Sequence, residues 1–534
     1  MTDASAAPQP PPRVGGFLGA IERAGNRLPD PVFIFVWLIT GLIVVSVIAA
    51  IVGASAVNPV NGEVLRAESL LSGDNLRTLF VDMPRTLTGF APLGYVLVVM
   101  LGAGVAERSG LFSTAMRSAV SLAPQRLLTP AVVFIAIVAN HAADAAYVVL
   151  IPLAGALFFA AGRHPIAGIA AAFAGVSGGF SANIFPGHLD ALLLGITEPA
   201  AEIIDPNFAI NIAGNWYFIT AMALVITPVA WFVTDRIVEP RLGPWVTDGE
   251  RPAPKQDGLA PAERKGLRRA GLAALLVIGA WAAMVFAPGA PLVDTEAAPA
   301  ERLAPFYQSL VAAFFVLFLL CAVAYGSAAG SVKNHRDVVR MTTESMQDLG
   351  YYIVLAFVAA HFVAMFNWSN LGGILAIHGA QALRASGLPA PLLLMLIVVL
   401  AASINLLVGS ASAKWAALAP VLVPMLMLLG ISPYMTTAAY RMGDSVTNII
   451  TPLMVYFPLV LTFCQRWQKD FGLGSLMAAM LPYSLAFLIS GLALTGAWVA
   501  LEWPLGPGAG LHYELPANPG PAPEPGSPTL PQGR

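Results

Sequence analysis

Nine stretches of this chain are apolar enough to be read as membrane-spanning helices. They are Pro31–Val52, Ala91–Val105, Pro165–Phe185, Trp216–Val233, Ala270–Phe286, Leu310–Tyr325, Tyr351–Phe366, Pro433–Phe463 and Leu476–Leu501. A helix needs about 20 such residues to cross the roughly 30 Å of bilayer hydrocarbon. Charged residues are 11% of the chain and hydrophobic ones 57%, where a soluble protein carries about 25% charged. No soluble domain of 534 residues hides that much apolar surface. The sequence therefore predicts an all-α polytopic membrane protein, with the lipid bilayer as its first partner. A net charge of −2, with no separate basic cluster, excludes nucleic acid as a partner. Cys321 and Cys464 are the only cysteines, so neither a disulfide framework nor a thiolate metal cluster is expected. Residues 1–16 lack the apolar core of a cleaved leader, which makes Pro31–Val52 a retained anchor.

Two further apolar stretches, Thr129–Ala161 and Pro391–Leu429, are too long for one helix and are interrupted midway by small polar residues. Each reads as a re-entrant hairpin of two half-helices. Charge distribution tests this. With the N-terminus in the cytoplasm and both hairpins returning to their starting side, 20 of the 28 Lys and Arg fall on the cytoplasmic side and 6 outside, leaving Lys414 and Arg441 within apolar segments. Such an excess is the positive-inside signature. A hairpin that crossed would switch every later loop and erase the bias. The C-terminus then lies outside, and the Pro/Gly-rich tail from about Trp503 is expected to be disordered.

The two halves repeat. Residues 143–177 laid over 411–445 match at 10 of 35 positions without a gap, including Pro152 on Pro420, Gly162 on Gly430, Pro165 on Pro433, Gly175 on Gly443 and Ser177 on Ser445. The first hairpin enters from the cytoplasm and the second from outside, each followed by a helix broken by Gly and polar residues. This inverted-topology repeat of hairpin and broken helix is a device of secondary transporters, whose sites lie near the midplane where broken elements meet.

The expected organisation is a cytoplasmic segment 1–30, scaffold helices 31–128, a first core repeat 129–214, scaffold helices 215–390 with cytoplasmic loops 234–269 and 327–349, a second core repeat 391–463, a last helix 464–502 and the tail 503–534.

The candidate site residues are the polar groups at the hairpin tips and helix breaks. The first half offers Asn140, Asp144, Ser177 and Asn183, and the second Asn405, Gly409, Ser412, Lys414, Trp415, Arg441, Asp444 and Asn448. Half-helix N-termini suit an anionic substrate, and freed carbonyls with Asn and Asp oxygens suit Na⁺. Asp144, Asp444, Lys414 and Arg441 each cost about 2.5–3.5 kcal/mol at the bilayer centre and so need a partner or a cavity. Arg441 and Asp444 stand one helical turn apart and could pair locally. Lys414 suits an internal ion pair or a substrate carboxylate equally. Asp190 lies just past the first broken helix, near its outer end. Trp415 is either core packing or a stacking surface for an aromatic ligand. His361 reads as a satisfied core histidine. Gly175-Val176-Ser177-Gly178-Gly179 fits G-x-S-x-G and raises the alternative of an intramembrane serine protease with His361 as base, but an all-helical segment lacks the strand-to-helix elbow of the hydrolase form. No nucleotide-binding signature occurs.

The motifs Ala143-Asp144-Ala145-Ala146-Tyr147, Ser177-Gly178-Gly179-Phe180-Ser181-Ala182-Asn183, Gly409-Ser410-Ala411-Ser412-Ala413-Lys414-Trp415 and Tyr440-Arg441-Met442-Gly443-Asp444-Ser445 resemble the p-aminobenzoyl-glutamate transporter (AbgT) family over nearly the whole chain. The resemblance implies a homodimer in the bacterial inner membrane, each protomer with nine spanning helices and two hairpins. It implies transport of p-aminobenzoyl-glutamate or sulfonamide antifolates, with Na⁺ or H⁺ as coupling ion and no cofactor. It places transport residues at Asp190, Asn405, Ser412, Trp415, Pro433, Arg441, Asp444 and Pro452, and an Na⁺ site at Asn405, Gly409 and Asp444. An ion-coupled symporter for another small carboxylate is the alternative with the same architecture.

Overall fold

The computed structural model describes residues 30–57, 62, 64–121, 124–142, 146–245, 259–297, 302–451, 454 and 456–515. Asp144 and Pro452 lie outside the described residues. Among these, six single helices are long and apolar enough to cross a membrane, beginning at Pro31, Trp216, Pro261, Leu310, Gly350 and Leu473. Pro31–Val52 and Trp216–Val233 have the bounds expected from sequence. Asp30 caps the first of these helices by accepting from the Val32 amide, and Gly53 ends it in the left-handed conformation. Most of the apolar side chains of Pro31–Val52 and Pro261–Phe286 face outward, as lipid-facing helices require. Ala91–Arg108 leads after a 66° bend into Leu111–Ser121.

A further set of elements forms the repeat. The first hairpin is Leu128–Val138 and Ile151–Ala160, and the second is Ala390–Asn405 and Ala411–Met427. The first broken helix begins Pro165–Phe173 and continues as a wide π-turn over Ala174–Gly178. The second begins Pro433–Val446. The sequence offset carries Pro165 to Pro433 and Gly178 to Val446, so the arms have the same length. Proline opens both, where its missing N–H costs nothing. Gly175 and Gly443 do the same work in each half. A Cβ on Gly175 would lie 2.7 Å from the Val133 carbonyl oxygen, and one on Gly443 would lie 2.2 Å from that of Val398. Each lets a broken helix lie directly on the first arm of its hairpin.

Two expectations need correction. The first broken helix does not end at Phe185. After a break it resumes as the buried helix His188–Ala201, which holds Asp190 in its first turn and parallels Phe457–Trp467 in the second half. Residues 503–515 are not disordered. Leu505, Ala509 and Leu511 are buried, the Tyr217 amide donates to the Leu505 carbonyl, and Tyr513 bridges to Asp205. Three small apolar side chains suffice to seat this stretch despite its Pro and Gly content.

Contacts between loops sort them onto two faces. On one face Arg108 pairs with Glu344 and Asp348, Arg117 with Glu263, and Arg163 with Asp235 and Glu239. All of these belong to segments that the charge distribution assigns to the cytoplasm. The opposite set is joined by Asn370 to Arg66, Ser432 to Leu511, and Arg384 to the Leu428 carbonyl. The ends of each hairpin are tied to each other. Arg163 donates to Thr129 across the first, and the Arg384 bond reaches from just before the second to its end.

Candidate functional site

The second broken helix is buried along its whole first arm, Pro433–Val446. That arm carries two charges one turn apart, and the local pair that this spacing would allow does not form. Arg441 instead reaches across to the other half. Its Nη1 lies 2.5 Å from Asp190 Oδ1 and its Nη2 donates to the Ser181 carbonyl at 3.1 Å. Asp444 pairs instead with the second hairpin, with Oδ1 2.6 Å from Lys414 Nζ. Lys414 is thus the partner of an internal ion pair. All four groups are 3% exposed or less. Facing charges in separate elements satisfy the burial cost that a lone charge could not. The four formal charges sum to zero.

Each pair sits in a polar setting. Asp190 Oδ2 accepts from the Gly187 amide at 2.8 Å, which fixes the carboxylate at the helix N-terminus. Lys414 Nζ also donates to Asn405 Oδ1. The Asn405 amide donates to the Asp444 carbonyl (2.6 Å), Thr447 Oγ1 (2.9 Å) and Asn448 Oδ1 (2.8 Å). Of the expected ion ligands, Asn405, Asp444 and Asn448 therefore stand together. Gly409 does not join them in any described contact, and it lies exposed in the hairpin tip.

The two breaks are stitched to each other. Asn448 Nδ2 donates to the Ser177 carbonyl at 3.4 Å, and the Ser181 amide donates to Ser445 Oγ at 3.1 Å. The Ser177 hydroxyl points to Met454 Sδ at 3.1 Å, not to a ring nitrogen. His361 Nδ1 donates to the Phe357 carbonyl, 2.7 Å away, while its Nε2 has no partner among the described residues. It is a core histidine, incompletely satisfied. A protease dyad of Ser177 and His361 is not present.

Trp415 is wholly buried. Its ring stacks on Tyr440 with centroids 4.4 Å apart, and its Nε1 donates to the Leu193 carbonyl (3.1 Å) and Thr197 Oγ1 (3.0 Å). Of its two readings Trp415 shows the packing one, its ring lying on Tyr440, and it locks the second hairpin to the His188–Ala201 helix. Trp415→Phe keeps the stack and removes both hydrogen bonds. We expect a loss of about 1 kcal/mol in unfolding free energy, read by thermal unfolding in detergent.

A small polar cavity lies between Asn140, His141, Ser181, Asn183, His188, Asp190 and Arg441. Asn140 Nδ2 donates to the Gly179 carbonyl at 3.3 Å, and Asn183 meets His141 Nδ1 at 2.6 Å. Ser412 is half-buried beside Ser410 at the second tip, and Pro433 is the buried first residue of its helix. Tyr440, Thr197, His141 and His188 belong to this site and were not singled out as candidates by the sequence analysis. Tyr440 had a signal, since it stands one turn before Asp444 and its hydroxyl lies 3.4 Å from that carboxylate. Thr197 had none, because the helix that carries it was not expected.

Comparison with known proteins agrees with this architecture. The profile of the AbgT putative transporter family matches residues 16–513. The p-aminobenzoyl-glutamate transport protein of Escherichia coli K12 is 37% identical over 497 residues, covering 92% of this chain and 96% of the relative. The crystal structure of the Alcanivorax borkumensis YdaH transporter superposes with a TM-score of 0.84 at 44% identity, over 90% of this chain and all of that one. Neisseria gonorrhoeae MtrF, described as illuminating a class of antimetabolite efflux pumps, superposes at 0.87 and 44% identity, over 92% of this chain and all of MtrF.

Proposed function

Because the chain belongs to the AbgT transporter family, and is a membrane transporter rather than an enzyme, we propose that it moves p-aminobenzoyl-glutamate, sulfonamide-type antifolates, or both across the bacterial inner membrane, coupled to a proton or Na⁺ gradient. In this reading the protomer has nine spans and two re-entrant hairpins in an inverted repeat, the N-terminus is cytoplasmic, and two protomers form a homodimer. The core is the two repeats, 129–214 and 391–463, and the other helices are its frame. The loop contacts that separate two faces, and the bonds that tie each hairpin's ends together, support that topology.

The observation that carries the proposal is the pair of buried ion pairs that diverge from one broken helix. An anionic substrate has two cations available, Arg441 and Lys414. Taking either from its aspartate leaves that aspartate uncompensated in a dry setting, and electroneutrality then recruits a cation. Anion binding and cation uptake are thereby linked through Asp190 or Asp444. Ser412, Asn140 and Asn183 supply neutral donors near these charges.

The test is uptake of radiolabelled p-aminobenzoyl-glutamate into proteoliposomes, with Na⁺ and proton gradients imposed separately. The proposal expects saturable uptake driven by at least one gradient and lost in Asp444→Ala. Gradient-driven uptake of another carboxylate, uncompeted by p-aminobenzoyl-glutamate, would instead establish the symporter alternative.

A further inference from the structure

The substrate class proposed above has an aromatic end as well as a charged one, and Trp415 is taken up by packing. A second cavity adjoins the small polar one and suits the aromatic end. It holds about 450 Å³ beside Leu111–Ser121 and the first arm of the first hairpin, with Phe112, Ala115, Met116, Phe134 and Phe185 in its walls. That volume lies within the roughly 300–1,000 Å³ of small-molecule pockets. Among the described residues, His141 brings the only polar side chain to it. His141 is also the one described residue that lines both this cavity and the polar one that holds Asn183, Asp190 and Arg441. We propose that the apolar cavity receives the aryl ring of an arylamide carboxylate whose carboxylates lie beyond His141, at Arg441. The inference rests on the transport reading above and places the substrate within it.

Three observations carry this. The chemistry changes at a single imidazole. On one side, aromatic and aliphatic side chains offer faces and edges to a flat apolar group, which gains by leaving water for them. On the other side stand a guanidinium and an amide, the donors that suit a carboxylate. The dividing ring is also held in place. Asn183 Nδ2 lies 2.6 Å from His141 Nδ1, and His141 Nε2 lies 3.3 Å from the Pro186 carbonyl oxygen. A Cβ on Gly187 would come within 2.9 Å of Nε2, so the backbone presses on the ring where only glycine allows it. Finally, the aromatic walls are not consumed by packing. Phe112 and Phe134 are half-buried and Phe185 is 55% exposed.

The test uses p-azidobenzoyl-glutamate, which carries a photoreactive group on the ring, with the full-length protein in proteoliposomes, and mass spectrometry to locate the adduct. The proposal expects labelling within Leu111–Ser121, within Leu128–Val138 or at residues 184–185, suppressed by excess p-aminobenzoyl-glutamate. Ala115→Phe places a ring in the open cavity and leaves Arg441 untouched. It should weaken p-aminobenzoyl-glutamate binding by about tenfold or more, the worth of burying a ring. N-acetylglutamate, which has the carboxylates without the ring, should compete equally with both proteins. Ala119→Phe, on the same wall, serves if the first variant fails to fold. Suppressible labelling that maps instead to the second hairpin overturns the cavity assignment and leaves the substrate reading standing. Cavity labelling that excess p-aminobenzoyl-glutamate does not change is mere partitioning of an apolar probe and overturns it too, as does a folded Ala115→Phe of unchanged affinity. Absence of p-aminobenzoyl-glutamate uptake in the same vesicles sinks the substrate reading, and the cavity assignment falls with it.

Discussion

Replacing Arg441 with methionine is expected to cost about 3–5 kcal/mol of stability, the usual penalty for stranding a buried charge. Asp190 is 3% exposed, and the Ser181 carbonyl would lose its guanidinium donor along with it. Thermal unfolding in detergent reads the loss. The double variant Asp190→Leu/Arg441→Met should recover most of it, because an apolar pair of similar bulk needs no compensation. Transport should remain absent in both, since both lack the charge proposed to engage the substrate. Full stability in Arg441→Met alone would mean that the pair is not formed in the membrane. Recovery of transport in the double variant would remove Arg441 and Asp190 from the mechanism.

Gly443→Ala carries the second large effect. The added methyl would lie 2.2 Å from the Val398 carbonyl oxygen and 2.7 Å from Ala401 Cβ, and neither is the end of a flexible side chain. Overpacking of this kind costs about 1–3 kcal/mol. The displaced helix also carries Arg441 and Asp444, so transport should fall further than stability. Gly279→Ala is the control. Nothing lies within 4 Å of its added Cβ, in the middle of Pro261–Phe286. There alanine should stabilise by about 0.5–1 kcal/mol. Opposite signs for the two substitutions, in the same thermal unfolding assay, are the expected result.

The frame was legible because hydropathy and proline placement decide it locally. Pro31–Val52 and Trp216–Val233 need no tertiary information. The repeat was legible because Gly175 and Gly443 answer the same packing demand in both halves, and Pro165 and Pro433 the same backbone demand. The identity of the ion partners was not legible. Arg441 and Asp444 are three residues apart, and nothing local says that one turns to His188–Ala201 and the other to the second hairpin. That choice is made by the fold, which brings Asp190 to Arg441 and Lys414 to Asp444 from two different elements. The helix after the first break was hidden because Pro186-Gly187 reads as its end rather than as the gap before its second arm. Trp415 shows the opposite limit. Its position beside a polar tip suggested a ligand face, and only packing reveals that Tyr440 already occupies it.

If the chain is an ion-coupled transporter as proposed, the junction of the two breaks should open to one side of the membrane at a time. Ser181 is buried there between Arg441 and Ser445. A single cysteine at that position, with Cys321 and Cys464 changed to serine, can be challenged with a membrane-impermeant thiol reagent from either side of sealed proteoliposomes. The account predicts labelling that depends on side, and a shift in the favoured side when p-aminobenzoyl-glutamate is added. Rapid labelling from both sides at once, unaffected by substrate, would describe a continuous pore and contradict it.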